Sequence, residues 1–172
     1  TMSSGDFCSN EKSVTLTEAS VGNGRIEFVA ADGSVTVLKA DHPLEDGDVI
    51  DSTKMSSKAL RSFLEDEIKD AKDQGVLFSL HVKATMMKIS DPIIFGHAVA
   101  AYLKDVFEKY ADTFTELGVD PDFGIGDLLL KIDTLPADQK AAIEADIDAC
   151  MEAQPDLYMV NSDRGIYNLH VS

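Results

Sequence analysis

The 172 residues include 31 Asp and Glu against 15 Lys and Arg, so the formal net charge is −16. This charge disfavours binding to nucleic acid or to an anionic membrane surface, because both depend largely on Lys and Arg. With 44% hydrophobic residues, the chain is too apolar for intrinsic disorder and long enough for one core or two small ones.

Cysteine usage and the lack of a long apolar run indicate a cytoplasmic protein. Cys8 and Cys150 are too few for a disulfide framework or a Cys-based zinc site, which favours a reducing setting. No apolar run approaches the ~20 residues of a membrane span, and the first residues lack the basic and apolar parts of a signal peptide. Thr1 precedes Met2, and the chain stops at Ser172 just after a β-like run. We therefore expect a piece of a longer protein, without a membrane or nucleic-acid partner.

The first 50 residues predict an antiparallel β-meander of two to four strands. Apolar residues alternate with polar ones in short runs up to about Ile50, which is typical of half-buried strands. Asn23-Gly24 and Asp32-Gly33 lie between these runs, and both dipeptides favour tight hairpin turns. We expect a β-rich meander over 1–50 and an α/β segment over 51–172.

A helix followed by a buried strand is predicted next. Between Ser56 and Gln74 apolar residues recur at helical spacing, and Gly75 is suited to end the helix in the left-handed conformation. The run 76–82 that follows is almost continuously apolar, which is typical of a strand covered on both faces. This succession indicates α/β architecture with an open sheet.

The rest of the chain continues the alternation of helices and buried strands. Apolar residues recur every three or four positions from Pro92 to Gly118, which predicts the longest helix of the chain. A helix around 127–132 and another that begins at Pro136 and stops before Pro155 are expected. Buried strands are predicted over 157–160 and 166–171.

Segment 79–92 concentrates groups capable of chemistry. Two lysines, a histidine and a hydroxyl lie at the end of a predicted buried strand. Ligands of open α/β sheets gather beyond the carboxyl ends of strands, so Lys83 lies where a substrate would bind. A lysine there pairs with an anionic substrate or, when partly desolvated, transfers protons near neutral pH. The alternative is a surface lysine at a strand end, with Met86 and Met87 as core filler.

Other candidate ligands have simpler interpretations. His81 and His97 lie on apolar runs, and we expect each to be a hydrogen-bonded histidine because no third ligand is spaced to complete a metal site. The turn 120–124 resembles part of a calcium loop, but the remaining ligands are absent from the sequence, so a solvated turn is expected. The sequence contains no glycine-rich phosphate loop. We assign no metal-binding or cofactor-binding residue to this chain.

Long motifs extend over practically the whole sequence. One of them contains Lys83-Ala84-Thr85-Met86-Met87-Lys88 and continues to His97. The motifs cover 54–97, 126–128, 134–140, 159–165 and 168–171. Together they resemble the monomeric, NADP-dependent isocitrate dehydrogenases. Members of that family are several times longer, so the chain resembles an interior part of such an enzyme.

The resemblance implies oxidation of isocitrate by hydride transfer to NADP and then loss of carbon dioxide, with a bound Mg²⁺ or Mn²⁺ polarising the oxygen. In the family, the first lysine of this motif contacts substrate and works with a tyrosine in proton transfer. The resemblance therefore implies that Lys83 is both catalytic and substrate-binding. The family's metal-binding aspartates, partner tyrosine and NADP-binding residues match nothing here, so the remaining domains of the same enzyme are expected to supply them. The full-length enzyme is expected to be a monomer.

Two classes of function are compatible with the sequence. In the first, the chain is the lysine-bearing segment of this enzyme and is inactive alone; in the second, it is a self-folding structural or interaction domain without catalysis, and both can hold at once. In both cases we expect the isolated chain to fold. We also expect it to expose an apolar patch where neighbouring domains are missing, and to self-associate.

Overall fold

The computed structural model describes residues 2–82 and 86–157. The chain divides into two compact units, Thr1–Ser56 and Ser57–Ser172. The first unit contains the paired strands, and the second contains the helices longer than one turn. The expected mixed α/β class is confirmed.

The first unit is built from antiparallel strand pairs. Its elements are a one-turn helix, α1 (Phe7–Asn10), and the strands β1 (Lys12–Thr15), β2 (Gly22–Val29), β3 (Val35–Leu44) and β4 (Val49–Ser52). β1 pairs with β4, and β2 pairs with β3. The strands are antiparallel as predicted, but their pairing is nested, so the sequential order of a meander is wrong.

Backbone contacts explain the nested order. The Leu16 N–H donates to the Asp48 carbonyl at 2.8 Å, and the Gly47 N–H donates to the Leu16 carbonyl at 3.1 Å. These bonds bring β4, and not β2, beside β1. The Asp32-Gly33 turn closes the β2–β3 hairpin, with Gly33 at φ 84°. Asn23-Gly24, the other predicted turn, lies inside β2.

The second unit begins with the helix that the sequence predicts most closely. α2 (Ser57–Gln74) ends at Gly75, which has φ 65°. Its buried residues repeat at helical spacing, and they are Leu60, Leu64, Ile68 and Ala71. The helix bounds, the left-handed Gly75 and the set of buried residues agree with the prediction because the pattern that indicates them lies in the local sequence.

The predicted longest helix is wrong, because the chain bends twice within it. The observed helices are α3 (Ser90–Tyr102), α4 (Lys104–Lys109) and α5 (Ala111–Leu117). Leu103 and Tyr110 leave helical geometry, with φ near −103° and −111°. The backbone hydrogen bonds four residues apart continue through both bends. The bends accompany complete burial of Leu103, a packing requirement that helical periodicity does not encode.

The remaining helices agree with the prediction in number and place. A short 3₁₀ helix (Pro121–Phe123) leads into α6 (Gly124–Ile132), and α7 (Ala137–Ala153) follows Pro136. Leu128, Ile132 and Ile143 are at most 1% exposed. The core of the second unit is therefore helical. Among the described residues, no helix is long and apolar enough to cross a membrane.

The predicted buried strand over 76–82 is wrong as a strand. Its one pairing among the described residues is a parallel bridge between Phe78 and Leu157. Val76 and Leu77 are each about half exposed. A parallel strand is stable when both faces are covered, and here the described residues bury Phe78 and Leu80 only partly. Two further strands are predicted, over 157–160 and over 166–171. Apart from Leu157, both lie outside the described residues.

Candidate functional site

Lys83, the residue predicted to bind substrate and transfer protons, lies outside the described residues together with Ala84 and Thr85. The segment that leads to it is described and is tied to the residues after α7. The Phe78 N–H donates to the Asp156 carbonyl at 3.0 Å, beside the Phe78–Leu157 bridge. Phe78, five residues before Lys83, is thus tied to the segment that follows α7.

A hydrogen-bond network holds the residues that provide this anchor. Lys72, in the last turn of α2, donates from Nζ to the carbonyls of Glu152 at 3.0 Å and Gln154 at 2.8 Å. Lys72 thus satisfies carbonyls that the C-terminal end of α7 leaves without an intrahelical partner. The Tyr102 hydroxyl donates to the Pro155 carbonyl at 2.7 Å in a buried setting. α2 and α3 therefore both fix the segment that pairs with Phe78.

Tyr102 is suited to remain a hydrogen-bond donor in this network. Burial is the main cause that raises the pKa of its phenol, with added effects from Cys150 and Asp156. Its own carbonyl accepts from Gln154 Nε2 at 3.3 Å. The helical spacing predicts Tyr102 as an apolar core position, but it gives no sign of the partner of its hydroxyl. Lys72 is equally hard to identify from sequence, because the carbonyls that it contacts lie 80 residues or more away.

The residues that follow Lys83 form an exposed apolar surface. Met86, Met87 and Ile89 are 67%, 54% and 83% exposed, so the interpretation of the two methionines as core filler is wrong. The Asp91 N–H donates to the Met87 carbonyl at 3.1 Å, which links this turn to the start of α3. Lys88 is exposed in the same turn.

Both histidines have hydrogen-bond partners, as the sequence led us to expect. His81 Nε2 lies 2.9 Å from Ser79 Oγ, and Arg61 Nε donates to His97 Nδ1 at 3.0 Å. Within residues 2–82 and 86–157, no three His, Cys, Asp or Glu side chains form a group that could hold a metal ion. The described residues therefore do not fit the Mg²⁺ or Mn²⁺ that the resemblance implies.

The acidic turn 120–124 starts a helix. Asp120 Oδ1 accepts from the Asp122 N–H at 3.0 Å and caps the 3₁₀ helix. Burial raises the pKa of the Asp122 carboxyl, the Asp120 charge raises it further, and His97 opposes the shift. Asp122 also lies directly against Gly96 of α3. This turn is thus a packing contact between α3 and the start of α6.

His97 should make the stability of the chain depend on pH. Burial lowers its pKa, and the Arg61 charge lowers it further against the opposing charge of Asp122. The folded chain then binds this proton less tightly than the unfolded chain, so stability falls as pH drops below the unfolded value near 6.5. We expect the melting temperature to fall between about pH 7.5 and about pH 5.5 by more in the parent chain than in His97→Gln. Equal pH dependence in the two proteins would contradict this assignment.

A groove among the described residues lies away from the predicted motif. Its volume is about 440 Å³, and it is lined by Phe107, Phe114 and charged side chains of α2 and α4. Two of these, Lys104 and Glu65, form an ion pair at 3.1 Å, and Arg61 already bonds to His97. No lining residue belongs to segment 79–92, so the groove adds nothing to the site predicted there.

The fold is that of a mixed α/β segment in which Phe78, five residues before Lys83, pairs with the residues after α7. Comparison with known proteins identifies the family to which this segment belongs. The family profile described as monomeric isocitrate dehydrogenase matches residues 1–172. The chain belongs to this family.

Curated relatives agree with the family match. The chain is 56% identical over 170 residues to isocitrate dehydrogenase [NADP] 2 of Colwellia maris. It is 52% identical over 169 residues to isocitrate dehydrogenase [NADP] 2 of Mycobacterium tuberculosis and 51% identical over 170 residues to isocitrate dehydrogenase [NADP] of Azotobacter vinelandii. These alignments cover 98–99% of the chain but only 22–23% of each relative. The chain thus spans less than a quarter of the length of the relatives it matches.

Proposed function

We propose that these residues form part of an NADP-dependent isocitrate dehydrogenase, which oxidises and decarboxylates isocitrate to 2-oxoglutarate and carbon dioxide. The observation that carries the proposal is the family match over residues 1–172, together with 46–56% identity to six named isocitrate dehydrogenases. Such identity along almost the whole chain supports retention of the same chemistry at matching motifs. A cytoplasmic location accords with the bacterial relatives.

Within this enzyme we propose that Lys83 binds substrate and moves a proton. Isocitrate is a tricarboxylate, so an ammonium group is suited to pair with it. Oxidation and decarboxylation develop charge on oxygen and then on carbon, and a group that can give and take a proton stabilises both changes. Residues elsewhere in the enzyme would hold NADP, which would accept the hydride, and a divalent metal, which would polarise the substrate oxygen. The contacts of Phe78 with Asp156 and Leu157 support the proposal, because they tie the segment that leads to Lys83 to the residues after α7.

We further propose that the metal and NADP ligands lie in parts of the enzyme beyond these 172 residues. Metal, cofactor and proton-transfer groups must converge on one substrate for catalysis. A chain that carries only the lysine cannot assemble them.

The isolated chain should therefore show no turnover. We expect no NADPH formation above background when the 172 residues are incubated with isocitrate, NADP and Mn²⁺, and normal formation with the longer protein that contains them. Absorbance of NADPH measures both. Turnover by the isolated chain, after removal of contaminating enzyme, would contradict the division of ligands. A longer protein without turnover would favour the alternative, a structural or interaction domain.

A further inference from the structure

The hairpin formed by β2 and β3 exposes an unusual amount of apolar surface. Six large apolar side chains of these strands are between 50% and 66% exposed, and they are Ile26, Phe28, Val29, Val35, Val37 and Leu38. Among residues 2–56, the one buried apolar side chain is Leu16, which lies outside both strands. The hairpin therefore has no apolar core of its own in the described part of the unit.

Strand register places these side chains on both faces of the hairpin. Val29 pairs with Val35, and Glu27 pairs with Val37, so the three valines share one face. Phe28 pairs with Thr36 on the other face. Ile26 lies two residues before Phe28 on the same strand, so alternation places it on the same face as Phe28. A surface hairpin has one apolar and one polar face. Two apolar faces indicate a hairpin that is covered on both sides.

A two-stranded hairpin in water is marginally stable at best, and covering it supplies the missing stabilisation. Exposed apolar patches of this kind mark contact surfaces. Within the described residues, β2 and β3 pair only with each other, so each also has a free edge. The hairpin thus offers two apolar faces and two unpaired edges to a partner.

We propose that the β2–β3 hairpin docks into another part of the same polypeptide, in the more than three quarters of the enzyme that lies beyond these 172 residues. The relatives supply the necessary length, because the chain covers only 22–23% of each. The occupant packs apolar side chains on both faces of the hairpin. This inference rests on family membership and on the proposal that these residues are part of a longer enzyme. It does not depend on the proposed catalytic activity.

A second copy of the chain is a poorer occupant. Each copy has a formal net charge of −16, and like net charges oppose the association of two copies. The matching family is described as monomeric, which also favours a partner within one polypeptide. The self-association expected of the isolated chain is then a consequence of the missing partner.

Hydrogen exchange of the backbone amides in 26–29 and 35–38 tests this proposal. We expect exchange at least about tenfold slower in the longer protein than in the isolated chain, measured at a concentration where the isolated chain sediments as a single copy. Equal exchange in the two proteins would overturn the proposal. So would slow exchange already present in the single isolated chain, because these 172 residues would then cover the hairpin themselves. Protection in the longer protein that is lost on dilution would identify a second copy and also overturn it.

A pair of variants tests the contact without relying on exchange. Phe28→Ser removes an apolar side chain that is 57% exposed here, so it should lower the melting temperature of the longer protein by several degrees and that of the isolated chain by much less. Thr36→Ser, directly opposite Phe28, is the matched control and should change neither protein appreciably. Equal losses in both proteins for Phe28→Ser would contradict docking. Enzyme turnover enters neither readout, so failure here is distinguishable from failure of the proposed function.

Discussion

Replacement of Lys83 by methionine in the complete enzyme should lower turnover by roughly 10² to 10⁴, the usual contribution of a positioned acid or base. Methionine keeps approximately the length of lysine but has neither the charge nor the exchangeable proton. Folding and NADP binding should remain nearly intact, and the KM for isocitrate should rise together with the loss in kcat because the ammonium group that pairs with the substrate is gone. Steady-state kinetics of NADPH formation, with the melting temperature as a check on folding, measure the effect.

Lys88→Met is the internal control for this prediction. Lys88 is exposed in the turn before α3, and its replacement should matter far less. Lys83→Arg separates the two functions of the lysine, because arginine keeps the charge but does not deprotonate in proteins. If Lys83→Met retained turnover while Lys88→Met lost it, the other lysine would be the functional one. If neither mattered, the assignment taken from the family would fail.

Gly96→Ala should lower the free energy of unfolding by roughly 1–3 kcal/mol, the usual cost of overpacking. A Cβ at Gly96 would lie 2.9 Å from the backbone nitrogen of Asp122 and closer still to its carboxylate. The carboxylate can rotate away, but the backbone cannot move without opening the contact between α3 and the 3₁₀ helix. The gain of about 1 kcal/mol expected for alanine over glycine within a helix does not offset this clash. Urea denaturation measures the difference.

Gly126→Ala supplies the matched control for this substitution. Gly126 also lies in a helix, α6, but a Cβ added there would meet no heavy atom within 4 Å apart from its chain neighbours and the backbone of its own helix. Helix propensity should then act alone and stabilise the chain by up to about 1 kcal/mol. Opposite signs for the two substitutions are the expected result. A neutral or stabilising Gly96→Ala would show that α3 and the 3₁₀ helix do not pack as described.

Local sequence was sufficient for the elements that need no distant partner. α2 and α7 follow from apolar spacing and from the residues at their ends, and Gly75 adopts the left-handed conformation predicted for it. The Asp32-Gly33 turn was predictable for the same reason. The hydrogen-bonded roles of His81 and His97 were also predictable, although their partners were not.

Long-range packing decided what local sequence did not. Periodicity could not predict the bends at Leu103 and Tyr110, since a continuous stripe fits both a straight and a bent helix. Asn23-Gly24 has the composition of a turn, yet the pairing of β2 with β3 places it within a strand. Apolar composition made 76–82 resemble a buried strand, but burial depends on covering layers, which the run itself cannot specify.

The sequence by itself determined the family, the lysine motif, the acidic charge and the helices with strong local signals. Each depends on residue identity and short-range spacing, which the chain carries in full. Only the tertiary structure decided the nested strand order, the pairing of Phe78 with the residues after α7, and the close contact of Gly96 with Asp122. These features join residues that are distant in sequence, and their energies depend on contacts that exist only once the chain has folded.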